Sequence, residues 1–122
     1  MSKSIEPRES DPILIVEDNW QIGRLLTQIL EDEGWTSVLT GSLMSAMQEL
    51  GSGRPFALVV LDVTLPDGNG LELASQVTQL QPEVPVLLMS GYDLAGAVHP
   101  YIRKPFETED FVAKIKELLG AD

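Results

Sequence analysis

The sequence predicts an α/β domain built on one doubly wound, five-stranded parallel sheet with helices on both faces. Three observations support that class. Short, wholly apolar runs recur along the chain; stretches with apolar residues at the i, i+3, i+4, i+7 spacing separate them; glycine or proline marks the junctions. A run that is apolar throughout, rather than alternating, reads as a strand covered on both faces, which is the condition of a parallel sheet.

Taken in order, the chain opens with eleven polar and charged residues (1–11) that read as a flexible leader, and the domain is expected over 12–120. The first strand is Ile13-Leu-Ile-Val16, ending in Glu17 and Asp18. Asn19 follows as a helix N-cap, and Ile22, Leu25, Leu26, Ile29 and Leu30 lay out the first helical stripe up to Gly34. Trp35–Leu39 is a weaker strand, and Leu43, Ala46, Met47 and Leu50 mark a second helix. After the Gly51–Pro55 turn comes the most apolar strand, Ala57–Leu61, which delivers Asp62 to a loop broken by Pro66, Gly68 and Gly70. A third helix, Leu71–Leu80, buries Leu73, Ala74, Val77 and Leu80. Val84–Met89 is the fourth strand and leads to Ser90. Residues 92–100 offer at most a turn or two of helix. Tyr101–Arg103 is the fifth strand, followed by Lys104-Pro105-Phe106 and a last helix with Phe111, Val112, Ile115, Leu118 and Leu119 on one face, stopped by Gly120. Five strand–helix alternations with right-handed crossovers give a flavodoxin-like sheet of order 2-1-3-4-5.

Composition narrows the function. Net charge is −11, from 19 acidic and 8 basic residues, so the surface repels a phosphate backbone and direct nucleic-acid binding is not expected. The chain has no apolar run long enough to span a membrane and no secretory signal at its start, and it has no cysteine. A cytoplasmic protein without a membrane role is expected. The one histidine, His99, leaves no His-rich metal site and reads as a solvated loop residue.

The chemistry collects at the strand tips, where an open parallel sheet binds its ligands. The first strand ends in Glu17 and Asp18, the third in Asp62, the fourth in Ser90 and the fifth in Lys104. Three clustered carboxylates repel one another unless a cation joins them, and a few oxygen ligands suit Mg²⁺, or Mn²⁺, rather than zinc. Cation, ammonium and hydroxyl are what a phosphoryl group needs around its oxygens, and a carboxylate can accept that group as an acyl phosphate. Asp62 is the natural nucleophile.

These residues, with Asp62-x-x-Leu65-Pro66-x-x-x-Gly70 and Lys104-Pro105-Phe106, resemble the receiver domains of two-component response regulators, and the resemblance runs over nearly the whole chain. It implies that Asp62 is the phosphoacceptor, supplied by a phosphohistidine on a histidine kinase or histidine phosphotransfer protein. It further implies that Asp18, Asp62 and the Thr64 backbone carbonyl bind Mg²⁺ directly and Glu17 through water. Lys104 would pair with the phosphoryl oxygens, Ser90 would move in to bind them, and Tyr101 would turn inward as the switch aromatic. A cis Lys104–Pro105 peptide is expected on the same ground. The domain would then be a signalling module, acting on an unidentified downstream protein and catalysing only its own phosphorylation and dephosphorylation. It could stand alone or be a piece of a hybrid kinase or larger regulator.

The chain departs from the family between Ser90 and Lys104. That interval is short by roughly two helical turns, so the fourth helix of the family is expected to be shortened or irregular, as in a subgroup that Leu88-Met-Ser-Gly-Tyr92 also resembles. Residues 91–100 are expected to be a mobile loop ordered by phosphorylation or by a partner. Trp20, beside the acid pair, is either an anchor for a docking phosphodonor or a side chain lying on its own helix. Two other functions share some of these residues. A haloacid-dehalogenase-like phosphohydrolase also uses a strand-tip aspartate with Mg²⁺, Ser/Thr and lysine, but it wants an acid where this chain has Thr64. A receiver-like module that binds without being phosphorylated would have no use for all five site residues.

Overall fold

The computed structural model describes residues 11–94 and 96–120; of the expected leader, all but Asp11 lies outside them. The elements are β1 (Ile13–Val16), α1 (Trp20–Asp32), β2 (Ser37–Thr40), α2 (Leu43–Gly51), β3 (Leu58–Asp62), β4 (Thr64–Leu65), β5 (Gly68–Asn69), α3 (Gly70–Leu80), β6 (Val86–Ser90), β7 (Tyr101–Arg103) and α4 (Thr108–Leu119). Leaving aside the two-residue strands β4 and β5, the sheet order is β2-β1-β3-β6-β7, the expected doubly wound order, with every pairing parallel. Among the described residues, no helix is long and apolar enough to cross a membrane.

Side chains of the central strands sort by parity onto two cores. Leu14, Val16, Val59, Leu61, Val86 and Leu88 face α2 and α3, where Ala46, Leu73, Ala74 and Val77 meet them. Ile13, Ile15, Leu58, Val60, Leu87 and Met89 face α1 and α4, against Leu26, Ile29, Leu30, Phe111 and Ile115. Every residue of β1, β3 and β6 is buried, so the wholly apolar runs follow from having a helix layer on each side. At about 1.5–3 kcal/mol for each large apolar side chain buried, these three strands anchor the tips that carry the polar residues.

The structure corrects several local expectations. Leu25, Met47 and Leu80 lie outside the packed stripes and are 59%, 49% and 77% exposed. On α1 the buried stripe instead runs through Gly23, whose bare Cα lies against Leu39: a Cβ there would stand 2.7 Å from Leu39 Cδ1. Trp35 is not in a strand. Its N–H donates to the Leu30 carbonyl, closing α1 as Gly34 turns with φ +89°. The fourth long strand begins at Val86, because the Val84 N–H closes a turn on Gln81 and Pro85 has no N–H to give. The loop after Asp62, expected to lack regular structure, contains the minimal antiparallel ladder Thr64–Leu65 with Gly68–Asn69. Between Ser90 and Tyr101 no described residue is helical.

Candidate functional site

Register brings the strand tips together. Val16 pairs with Leu61, Asp62 with Met89 and Ser90 with Arg103, so the residues that follow β1 and end β3 and β6 emerge along one edge. Glu17 continues β1 by donating its N–H to the Thr40 carbonyl, and the Lys104 N–H donates to the Ser90 carbonyl. Asn19 caps α1 through its side chain to the Ile22 N–H, which lifts the chain away just past Asp18.

The polar contacts join residues that are distant in sequence. Lys104 Nζ lies 2.8 Å from Asp62 Oδ2 and 3.0 Å from Glu17 Oε1. Asp62 Oδ1 accepts the Thr64 N–H at 3.0 Å, and Glu17 Oε2 accepts the Asn19 N–H at 3.1 Å. Glu17 and Asp62 are buried, and Asp18 is exposed at the mouth. Burial pushes the Glu17 carboxyl above the usual glutamate range, outweighing the Asn19 and Lys104 hydrogen bonds that lower it. For Lys104, burial works to lower the ammonium, but the bonds to Asp62 and Glu17 together raise it above the usual lysine value. The ammonium is therefore fixed in its charged form between two acids.

Donor atoms from Glu17, Asp18 and Asp62 lie within 4.8 Å of one another. One ammonium does not balance three carboxylates, and an all-oxygen donor set with one exposed, water-accessible member suits a hard divalent cation such as Mg²⁺ or Mn²⁺. The residues present fit such an ion.

The hydroxyl and the aromatic stand elsewhere. Ser90 is buried, and its Oγ donates to the Tyr92 carbonyl at 2.7 Å while accepting the Tyr92 N–H at 3.0 Å. Its hydroxyl is thus engaged by the loop that follows it rather than by Asp62. The Tyr101 hydroxyl donates to Asp93 Oδ1, and that bond, foremost, raises the phenol above the ordinary tyrosine value. The Lys104–Pro105 peptide is cis. Trp20 is 61% exposed with the Arg24 guanidinium 5.0 Å from its ring centroid, so it lies along its own helix. His99 ties the 91–100 segment to α3 through a 2.9 Å contact between its Nε2 and Thr78 Oγ1.

Sequence reasoning missed the contacts of two carboxylates beside the site, Asp67 and Asp93. Gly70 of the loop motif stands behind Asp62, where a Cβ would come within 2.3 Å of the Asp62 carbonyl oxygen. Asp67 bonds the first two amides of α2, and Asp93 holds Tyr101. The turn chemistry of Pro66-Asp67-Gly68 was visible, but nothing along the chain joins Asp67 to Leu43. A cleft of about 620 Å³ opens between α3 and the 91–100 segment, lined by Leu71, Leu88, Leu94 and Val98 among others. Glu17, Asp18 and Asp62 do not line it; charge and donor geometry, not volume, mark the candidate site.

Comparison with known proteins agrees with this geometry. Residues 13–116 match the response regulator receiver domain family. The chain is 32% identical to TcrX of Mycobacterium tuberculosis over 115 residues, 88% of this chain and 49% of TcrX, so it spans about half the length of that relative. It is 30% identical to the response regulator receiver protein CpdR of Brucella abortus, over 89% of this chain and 97% of CpdR. The crystal structure of a CheY-like receiver domain protein from Methanospirillum hungatei superposes with a TM-score of 0.83 at 31% identity, covering 91% of this chain and 94% of that one.

Proposed function

Because the chain belongs to the response regulator receiver domain family of two-component signalling, we propose that it is a phosphoacceptor switch, with Asp62 taking a phosphoryl group from a phosphohistidine. The donor is a histidine kinase or histidine phosphotransfer protein. The observation that carries this reading is the Asp62 carboxylate itself: buried at a strand tip, oriented by the Thr64 N–H and Lys104, with two more acids within 4.8 Å.

In this reading Asp18, Asp62 and the Thr64 backbone carbonyl hold Mg²⁺ or Mn²⁺, and Glu17 contributes through water. The bound cation would offset the charge of the carboxylates and of the phosphoryl oxygens they must meet. An Asp62 oxygen attacks phosphorus in line with the donor. The bond from phosphorus to the imidazole nitrogen breaks, its electron pair returns to the ring, and an aspartyl phosphate is left. Lys104, already charged and 2.8 Å from Asp62, then pairs with the phosphoryl oxygens. Ser90 exchanges its bond to Tyr92 for one to the phosphate, which frees the loop that now holds both Ser90 and, through Asp93, Tyr101. The product is a changed protein surface, read by a downstream protein. The domain turns over no external substrate beyond its own phosphoryl group, and the cytoplasm is its expected place. A phosphohydrolase of the dehalogenase type is not favoured, since Thr64 cannot supply the second acid.

Phosphotransfer from a panel of autophosphorylated histidine kinases, with wild type beside Asp62→Ala, tests the proposal. Labelling by a cognate kinase that disappears in the variant is expected. Unchanged labelling of Asp62→Ala overturns it.

A further inference from the structure

Asp67 plays no part in the site as described, yet its carboxylate ties the loop after Asp62 to a different helix. Its Oδ1 accepts the Leu43 N–H at 2.9 Å and its Oδ2 the Met44 N–H at 3.1 Å. Those are the first two amides of α2, and Ser42 caps the third through its Oγ to the Ser45 N–H at 3.1 Å. Two independent groups therefore share one helix end. The Leu43 N–H, foremost, holds the Asp67 carboxyl below the usual aspartate range, as a carboxylate facing a helix N-terminus should be. Next to it, Gly68 lies so close to Leu43 that a Cβ would stand 2.5 Å from Leu43 Cδ1. The hydrogen bonds of Thr64, Gly70 and Leu71 close within residues 62–71, whereas those of Asp67 reach back to α2.

Asp67 and its helix amides are exposed. If Asp67 is lost, water can reach the two N–H groups and Ser42 still caps the third, so α2 persists though less stable. The Pro66–Gly68 turn has no such substitute, and Thr64 lies on the ladder that this turn connects. We infer that Asp67 is a positioning residue for the divalent cation: clasped to the start of α2, it fixes where the loop presents the Thr64 carbonyl. The inference rests on the reading above that this carbonyl, with Asp18 and Asp62, holds Mg²⁺.

The test is Mg²⁺ binding by isothermal titration, without any phosphodonor, on wild type, Asp67→Ala, Asp67→Asn and Ser42→Ala, each with its melting temperature. Asp67→Ala is expected to bind Mg²⁺ roughly tenfold more weakly, the lower end of what partners of metal ligands contribute. Asp67→Asn, which keeps one acceptor oxygen, recovers part of that affinity. Ser42→Ala removes the other cap of the same helix, so it lowers the melting temperature while Mg²⁺ affinity stays at the wild-type value. Wild-type affinity in Asp67→Ala, or an equal loss in Ser42→Ala, overturns the inference and leaves Asp67 a helix cap. Phosphoryl transfer plays no part in this readout. A chain whose Mg²⁺ affinity depends on Asp67 but that accepts no phosphoryl group would contradict the phosphoacceptor reading alone.

Discussion

At Gly70 an added Cβ would stand 2.3 Å from the Asp62 carbonyl oxygen and 3.0 Å from Val63 Cα, backbone atoms that cannot rotate aside. The Gly70 N–H also donates to the Val63 carbonyl at 2.7 Å, so α3 starts pressed against the strand tip that carries Asp62. Gly70→Ala must push that tip or lift the helix. We expect it to cost about 1–3 kcal/mol in chemical denaturation, as overpacking does, and to slow phosphorylation; a variant matching wild type in both would show that the loop gives way freely. Tyr101 offers a second single-residue test. Its folded-state value is raised, so the Tyr101–Asp93 bond contributes fully below the ordinary tyrosine value and is lost as pH rises through the higher one. In a Tyr92→Phe background, which leaves Tyr101 as the sole tyrosine, absorbance should show late phenol ionisation, and Asp93→Asn should bring it earlier. An unchanged titration in Asp93→Asn would remove Asp93 as the group that holds the Tyr101 hydroxyl.

Among the elements, the strands are the most legible, because a parallel strand between two helix layers must be apolar along its length; β1 meets that condition throughout, and β3 and β6 up to their last residues, Asp62 and Ser90. The helices were legible as helices but less so in their orientation. Gly23 carries no hydropathy signal, so the apolar pattern of α1 points to the exposed Leu25 instead. β4 and β5 were hidden because a two-residue ladder has no period to detect. The segment between β6 and β7 is the element to which the proposed function gives the switch. Its described residues lack helix, and it is held by a Leu94–Ala97 turn, the His99–Thr78 contact and the Ser90 and Asp93 bonds. With so few partners, its amides should exchange faster than those of α3, and they should slow when beryllofluoride and Mg²⁺ occupy the site. Equally slow exchange with and without the mimic would contradict the loop's proposed role in the switch.

On the scale of the whole molecule, the sheet gathers at one edge what the chain scatters from Glu17 to Lys104. Strand order and the residues at strand ends are both legible in the sequence, so the carboxylates, Ser90 and Lys104 fall on one edge by topology alone. What could not be read was which partner each side chain holds. Ser90 is turned to Tyr92 and Tyr101 to Asp93, since both choices depend on a segment with no periodic pattern. The central claim is that this edge makes an acyl phosphate on Asp62, and the most direct measurement is to find that bond. The protein is incubated with a small phosphodonor and Mg²⁺, reduced with borohydride, which converts an aspartyl phosphate to homoserine, and sequenced by mass spectrometry. Homoserine at position 62, absent when Mg²⁺ is chelated, is the predicted result. Homoserine at another carboxylate, or none at 62 in a protein that binds Mg²⁺, would contradict it.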